Sequence, residues 1–150
     1  MISDNTVYKF HNAFPKEFCD EILKSVPASS VREHHLLTWE QRTLEVPTHH
    51  PLVTSVMDYL NKKFPQCNLV CKESQIQLWP ISIDSQPHTH INDSVRKPTP
   101  YSSLLYLNDN YDGGEFYTEH EQIKPEPGLL TFFNGHKILH GVRPVYTNHR

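Results

Sequence analysis

Apolar residues recur every three or four positions in two stretches of the N-terminal half, which predicts two amphipathic helices. Pro15 opens the first stretch and Pro27 ends it, while Pro51 and Pro65 bound the second in the same way. The apolar positions are Phe14, Phe18, Ile22, Leu23 and Val26 in the first stretch, and Leu52, Val53, Val56, Met57, Leu60 and Phe64 in the second. Such stripes usually face a core, so we assign no chemistry to either helix.

From Asn68 onward, apolar and polar residues alternate instead, which predicts strands. The predicted strands are Gln75 to Trp79, Tyr101 to Leu107, Glu115 to Thr118, Leu129 to Phe133 and Ile138 to Val142, with an earlier short strand at Val7 to Phe10. The turn sequences are Asp112-Gly113-Gly114, Pro127-Gly128 and Asn134-Gly135, of which the last is a tight-turn signal. Two helices followed by several short strands predict an α+β fold whose strands roll into a jelly roll, or double-stranded β-helix.

The size and charge of the chain narrow the class of protein. Its 150 residues fit one domain that can bury a single core. A net charge of −3 at pH 7 with no long basic run argues against nucleic-acid binding. There is no secretory signal, and no stretch approaches the roughly 20 apolar residues of a membrane span. The 3 cysteines lack zinc-site spacing, so we expect reduced thiols in a soluble, intracellular protein.

Two distant segments offer imidazole donors, and one of them also offers a carboxylate. His88, His90 and Asp93 lie close together, whereas His140 comes some fifty positions later on a predicted strand. Histidines with a carboxylate are the ligands of a non-haem iron(II) site that keeps open positions. Arg150 follows His140 by ten positions, and its planar guanidinium suits a dicarboxylate cosubstrate through two parallel hydrogen bonds.

An ordered set of short motifs spans the second half of the chain. The motifs are Leu104-Leu105-Tyr106-Leu107-Asn108-Asp109, Tyr111-Asp112-Gly113-Gly114-Glu115-Phe116, Pro127-Gly128-Leu129-Leu130-Thr131-Phe132-Phe133 and His140-Gly141-Val142, followed by Pro144-Val145 and Arg150. As a set they resemble the prolyl 4-hydroxylase-like branch of the iron(II)- and 2-oxoglutarate-dependent dioxygenases. The resemblance covers roughly Gln75 to Arg150, and it implies one such domain over residues 1–150, with the N-terminal helices packed on one sheet of a double-stranded β-helix. Family members usually continue with one more strand, so we expect a domain that lacks its last strand.

The resemblance also implies roles for individual residues. His140 is similar to the distal iron ligand of the family. Arg150 is similar to the residue that pairs with the distal carboxylate of 2-oxoglutarate. Tyr106 resembles the tyrosine that hydrogen-bonds the same carboxylate, and a plain core tyrosine is the alternative.

The proximal ligands depart from the family pattern, because a strict His-x-Asp pair is absent. His88 and His90 stand at that spacing and would give a site of three histidines with the distal one. His90 and Asp93 would keep a carboxylate, which offsets the metal charge, at a wider spacing; His88 with Asp93 is the third option. Asn92 stands at the strict spacing after His90, but its neutral amide is a weaker ligand. The sequence leaves these combinations open.

Other side chains are open to two interpretations each. The stretch from Val31 to His50 is interpreted as a loop and a strand, or as a flap that brings Trp39 or Arg42 to a substrate. Trp79 either packs in the core or lines the cosubstrate pocket. His136 follows the Asn134-Gly135 turn signal and is expected at the surface.

The resemblance implies an oxygenase that uses iron(II), 2-oxoglutarate and dioxygen, with ascorbate as a further cofactor. Such an enzyme hydroxylates a C–H bond and releases succinate and CO2, while its side chains position the reactants and tune the metal. The expected partner is a peptide or small-molecule substrate, and a prolyl residue or proline-like compound fits the matched branch. The alternative is a catalytically impaired β-helix domain that binds a metal or a partner, which the imperfect His-x-Asp pair would explain.

Overall fold

The structure, a computed structural model, describes residues 2–26, 42–80, 85–89 and 99–146. Over these ranges the chain is mostly sheet with two helices. In chain order the elements are β1 (Tyr8–Phe10), α1 (Lys16–Ser25), β2 (Thr43–Val46), α2 (Pro51–Lys63), a 3-10 turn (Pro65–Cys67), β3 (Ser74–Gln77), β4 (Ser85–His88), β5 (Tyr101–Leu105), β6 (Phe116–Thr118), β7 (Gln122–Ile123), β8 (Leu130–Asn134) and β9 (His140–Val142).

Both predicted helices are confirmed, and local chemistry explains where they begin. Helix α1 begins directly after Pro15, and α2 begins at Pro51, whose missing N–H costs nothing in the first turn. The imidazole of His50 caps α2 by accepting a hydrogen bond from the backbone N–H of Leu52 at 3.1 Å. Neither helix in the described ranges has the length and apolar character needed to cross a membrane.

The strands form three antiparallel sheets. Their orders are β1-β8-β5, β4-β9-β6-β7 and the separate pair β2-β3. From β4 to β9 the chain crosses repeatedly between the first two sheets, so most neighbours within a sheet are distant in sequence, the hairpin of β6 and β7 excepted. Strand β9 therefore lies between β4 and β6.

The core has two layers, one on each face of the β1-β8-β5 sheet. Between this sheet and the four-stranded one lie Val7, Tyr106, Phe116, Ile123, Leu129, Phe133 and Ile138. On the opposite face, residues of α2 and the segment after it pack with the sheet through Ile2, Leu60, Phe64, Leu130 and Phe132. Strand β8 is buried along its whole length because it contributes to both layers, as expected of a continuous apolar run.

The Asn134-Gly135 turn exists, but it is not the tight hairpin turn that this dipeptide favours. Neither residue has a positive φ, and the strands that it joins, β8 and β9, lie in different sheets. The carbonyl of Asn134 accepts hydrogen bonds from the N–H groups of Lys137 and Ile138, and its side chain accepts one from His136 N–H. His136 is partly exposed, at the edge of the surface where the sequence places it.

Candidate metal centre

Strand pairing brings together two histidines that lie some fifty positions apart in sequence. His88 on β4 stands directly opposite His140 on β9. Residues opposite each other in an antiparallel pair point to the same face of the sheet. Their ring centroids are 4.4 Å apart, and the rings are inclined by 53°. The structure thus unites the two segments in which the sequence placed candidate ligands.

A bulge in β4 aims the His88 side chain. Ser85 pairs with Val142 and His88 pairs with His140, so the register shifts between these two positions. The three-residue step from Ser85 to His88 on β4 pairs with a two-residue step on β9. The extra residue turns the side chain of His88 to the face of the sheet on which His140 lies. Without the bulge, Ser85 and His88 would point to opposite faces. Bulges that redirect one side chain are common beside active sites.

The imidazole of His140 is enclosed and oriented. Its side chain is only 5% exposed. Phe116 stacks on the ring with 5.5 Å between centroids and 19° between planes, and Phe133 presents its ring at 4.9 Å and 68°. Nδ1 lies 2.8 Å from the backbone carbonyl of Ile138. Because a carbonyl can only accept, Nδ1 carries the proton and donates, and Nε2 holds the lone pair that a metal requires.

His88 has the same local hydrogen bond in a different environment. Its Nδ1 lies 2.8 Å from the carbonyl of Gln86 and 3.2 Å from Oγ of Ser85. The bond to the carbonyl again assigns the proton to Nδ1 and the lone pair to Nε2. The side chain of His88 is exposed. Both imidazoles thus donate to the carbonyl two residues earlier, although one is buried and the other is not.

These two donors fit a shared metal. Two imidazoles in adjacent positions of an octahedral ion have centroids about 4.5 Å apart if the metal–nitrogen bonds are about 2.1 Å, close to the separation of His88 and His140. Within the described ranges no group of three histidine, cysteine or carboxylate side chains could hold a metal. The predicted third donors, His90 and Asp93, lie outside the described residues. The choice among the proximal pairs therefore stays a prediction.

Tyr106 lies in the same core layer as Phe116 and Phe133, whose rings enclose His140. It is buried and packs in the cluster that contains Phe116 and Phe133. Its N–H donates to the carbonyl of Leu129 at 3.0 Å, and its own carbonyl accepts from Gly128 N–H at 3.0 Å. These bonds fix the backbone at this position. A contact between Tyr106 and 2-oxoglutarate stays a prediction, as does the role of Arg150, which lies outside the described residues.

Helix α1 is joined to this layer through a buried thiol. The thiol of Cys19 is fully buried and donates to the carbonyl of Tyr106 at 3.7 Å. Burial raises the pKa of this thiol, which keeps it protonated and able to donate. Cys19 is therefore a structural cysteine, as expected from the sequence.

The stretch from Val31 to His50 is described from Arg42 onward, and strand β2 lies within it, as the loop-and-strand interpretation expects. The guanidinium of Arg42 lies 5.6 Å from the ring centroid of Trp79, and its Nη1 donates to the carbonyl of Leu78 at 3.3 Å. Burial lowers the pKa of Arg42. Trp39 lies outside the described residues. Trp79 packs against the guanidinium of Arg42, and a contribution of Arg42 to substrate binding stays a prediction.

Sequence reasoning missed the residues that shape the site. Phe116 and Phe133 read as ordinary apolar positions, and nothing in their spacing indicates contact with His140. Gly141 gave a usable signal, because glycine inside a strand often marks a close approach. A Cβ there would lie 2.6 Å from the carbonyl oxygen of Ser85 and 2.7 Å from the Tyr117 ring. Gly141 thus lets β4 approach β9 closely.

The C-terminal half of the chain is similar to known sequences. Residues 81–150 match the family model of the 2OG-Fe(II) oxygenase superfamily. Prolyl 3-hydroxylase 2 of Mus musculus is 43% identical over 58 residues, which cover 33% of this chain and 8% of that protein. The human protein of the same name is 43% identical over 53 residues, covering 30% and 8%. The match thus spans only a small part of these curated relatives.

Solved structures show the same fold at low sequence identity. A Pseudomonas putida prolyl-4-hydroxylase superimposes with a TM-score of 0.70 and 17% identity, covering 97% of this chain and 88% of that one. A viral collagen prolyl hydroxylase from Paramecium Bursaria Chlorella virus-1, in complex with 2OG, gives 0.67 and 16%, covering 95% and 89%. The segment that carries both histidines therefore matches the 2OG-Fe(II) oxygenase superfamily, and the described residues share their fold with prolyl hydroxylases.

Proposed function

We propose that residues 1–150 form one prolyl hydroxylase-like domain that hydroxylates a C–H bond of a prolyl residue or a proline-like substrate. Iron(II) and 2-oxoglutarate would serve as cofactor and cosubstrate, and succinate and CO2 would be the co-products. The observation that carries this proposal is the pair His88 and His140, opposed across two strands with both Nδ1 protons held by backbone carbonyls. This arrangement directs two Nε2 lone pairs for metal binding.

The finer description of the fold belongs to the same proposal. We infer that the three-stranded and four-stranded sheets are the two halves of a double-stranded β-helix. Repeated crossings between the sheets from β4 to β9 and a shared apolar layer support this interpretation. In such a core the metal site lies where a strand of one sheet presents ligands beside its neighbour, as β4 and β9 do here.

Each residue of the site would have a defined task. His88 and His140 would hold the metal through Nε2, and His90 or Asp93 would supply the third donor. When bound, iron(II) with 2-oxoglutarate and dioxygen would supply the oxidising chemistry that converts a C–H bond into an alcohol, one oxygen atom going to the substrate and the other to succinate. Phe116 and Phe133 exclude water from the buried side of His140. The remaining positions of the metal would then be reached from the exposed side, where His88 lies.

The cosubstrate and substrate assignments depend on chemistry and on the comparisons. Arg150 would bind the distal carboxylate of 2-oxoglutarate with two hydrogen bonds, and Tyr106 would donate a third. The similarity to prolyl 3-hydroxylase 2 and to a prolyl-4-hydroxylase supports a prolyl substrate. Ascorbate as a further cofactor stays a prediction, tested by its effect on successive turnovers.

A second candidate is a metal- or partner-binding domain without turnover. The absence of a strict His-x-Asp pair favours it. With three histidines, the site would lack the anionic ligand that offsets the metal charge while 2-oxoglutarate binds. Such a site could hold a metal and still react poorly.

Succinate release separates the two candidates. The folded chain is incubated with ferrous iron, 2-oxoglutarate and oxygen, with and without a proline-rich peptide, and the peptide is analysed for a gain of one oxygen atom. An oxygenase releases succinate, and it releases more when its substrate is present. A folded chain that binds ferrous iron but releases no succinate at any iron concentration would support the binding domain instead.

A further inference from the structure

We propose that Phe116 is a positioning residue that holds the imidazole of His140 in its metal-binding orientation before any metal arrives. This inference rests on the proposed function, because it assumes that His140 is a ligand. It goes beyond the ligand set by assigning a task to a residue that donates nothing to the metal. The reason lies in how the ring of His140 is confined.

Strand register explains why Phe116 reaches His140. Phe116 on β6 pairs with Val142, and Thr118 pairs with His140, so Phe116 is the diagonal neighbour of His140 on the same face. Aromatic side chains can span this diagonal. The two rings are nearly parallel, at 19° and 5.5 Å between centroids. One face of the imidazole is therefore covered by a flat surface.

Phe116 can act as a fixed wall because it is itself immobilised. It is 1% exposed and packs against Phe133 with 5.1 Å between ring centroids. Phe133 in turn presents its ring to His140 at 4.9 Å and 68°. Three mutually touching rings thus form a triangle in the apolar layer between the sheets. Rotation of the imidazole would require one of its neighbours to move, which close packing resists.

The stacked ring of Phe116 and the hydrogen bond to Ile138 restrict different motions of the His140 imidazole. Donation from Nδ1 to the carbonyl of Ile138 selects the tautomer and one ring orientation. The histidine ring has a broad, roughly two-fold torsional preference about its second side-chain bond, so a single hydrogen bond leaves it free to swing. Stacking on Phe116 removes that swing. The imidazole then loses little conformational freedom when a metal binds, which favours affinity.

The competing explanation is that Phe116 only fills the core. A matched control exists in Phe132, which is 3% exposed and lies in the layer on the opposite face of β8. Replacing either phenylalanine by leucine removes a buried ring of equal size. Both variants should lower the melting temperature, whereas Phe116→Leu alone should disturb His140.

The experiment measures binding of Mn²⁺ to the full chain by calorimetry, without turnover. We expect Phe116→Leu to weaken Mn²⁺ binding by about tenfold or more, the usual range for residues that support a metal ligand. Phe132→Leu should leave the dissociation constant unchanged. In the metal-free chain, the Nδ1 proton of His140 should give a slowly exchanging NMR signal in the parent and in Phe132→Leu, and Phe116→Leu should lose it.

The outcomes separate the inference from the proposed function. Equal dissociation constants for the two leucine variants, with the Nδ1 proton signal retained in both, would overturn the positioning role while leaving the ligand assignment intact. A parent chain that binds no Mn²⁺ would overturn the proposed function and this inference together. If Phe116→Leu does not fold, Phe116→Met and Phe132→Met place a flexible apolar side chain without a flat face, which adapts to the space left, and give the same contrast.

Discussion

The two histidines of the candidate metal centre donate the same type of hydrogen bond but lie in opposite environments. Each donates Nδ1–H to the carbonyl two residues earlier, at Ile138 and at Gln86. His140 lies on an inner strand of its sheet and is enclosed by two phenylalanine rings. His88 lies on β4, the terminal strand of that sheet within the described residues, and is exposed. One ligand is therefore preformed by the core, and the other is positioned by a bulge and a glycine.

This difference separates two requirements of a metal site. The tautomer of each histidine depends on local structure, because the carbonyl that accepts its Nδ1 proton belongs to the residue two positions earlier. Confinement of the imidazole ring depends on tertiary structure, because it needs side chains from other strands. His140 meets both requirements, whereas His88 meets the first and leaves access for other molecules. An oxygenase site needs both kinds of ligand, since cosubstrate and substrate must approach the metal from one side.

The largest expected effect comes from His140→Ala. We expect it to abolish metal binding, and the cavity left at a buried position should also reduce the free energy of unfolding by about 1–3 kcal/mol. Calorimetric titration with Mn²⁺ and urea denaturation measure the two effects. His136→Ala is the matched control, because His136 is close in sequence and outside the proposed site. Affinity equal to that of the parent in His140→Ala would disprove the ligand assignment.

His88→Ala should affect binding without affecting stability. We expect a loss of metal affinity of at least about 10- to 100-fold, and a melting temperature equal to that of the parent because the side chain is exposed. His49→Ala, another exposed histidine, serves as the control. A substantial loss of stability in His88→Ala would contradict the contrast between the two ligands.

The same titration distinguishes the proximal combinations. His90→Ala and Asp93→Ala are compared with His88→Ala for metal affinity and for succinate release. Unchanged turnover in Asp93→Ala supports the pair His88 and His90. Unchanged affinity in His88→Ala, together with loss in the other two variants, would support His90 and Asp93 instead.

Gly141→Ala should displace the exposed histidine, His88, more than the buried one, His140. The added Cβ would meet the Ser85 carbonyl oxygen at 2.6 Å and the Tyr117 ring at 2.7 Å, so β4 must move away from β9. We expect a loss of about 1–3 kcal/mol in unfolding free energy, as for other overpacked sites. Metal affinity should fall because His88 moves with β4.

A double variant checks the cause. Adding Tyr117→Ala removes the ring contact but leaves the backbone carbonyl of Ser85, so stability should return only in part. Complete recovery of both stability and metal affinity would show that the approach of β4 to β9 is not what Gly141 protects.

The smallest effect is expected from Ser85→Ala. The hydroxyl of Ser85 lies 3.2 Å from Nδ1 of His88, and the carbonyl of Gln86 remains as the main acceptor at 2.8 Å. We expect metal affinity to fall by only about two- to fivefold, in line with loss of one exposed hydrogen bond. A loss as large as that of His88→Ala in the Mn²⁺ titration would mean that the hydroxyl, not the carbonyl, orients this ring.

Local patterns predicted most of the secondary structure correctly. Apolar spacing and the flanking prolines located α1 and α2, because a proline tolerates the first turn of a helix and stops a later one. The strands that were predicted individually match observed strands to within about two residues, the usual uncertainty of element ends, but β4 and β7 were not predicted. The Asn134-Gly135 turn was the exception, because the crossing between sheets, not local preference, determines its conformation.

By itself, the sequence determined both helices, most of the strands, including the one that carries His140, and the two segments that hold the candidate ligands, although it did not predict β4 or β7. These features follow from periodicity and from the chemistry of neighbouring residues. Tertiary structure alone decided that His88 faces His140 and that Phe116 covers the imidazole. Such contacts join strands that are distant in the chain, and their geometry depends on a bulge, a register and a shared core. No pattern in a single segment encodes them, because each is made by several segments at once.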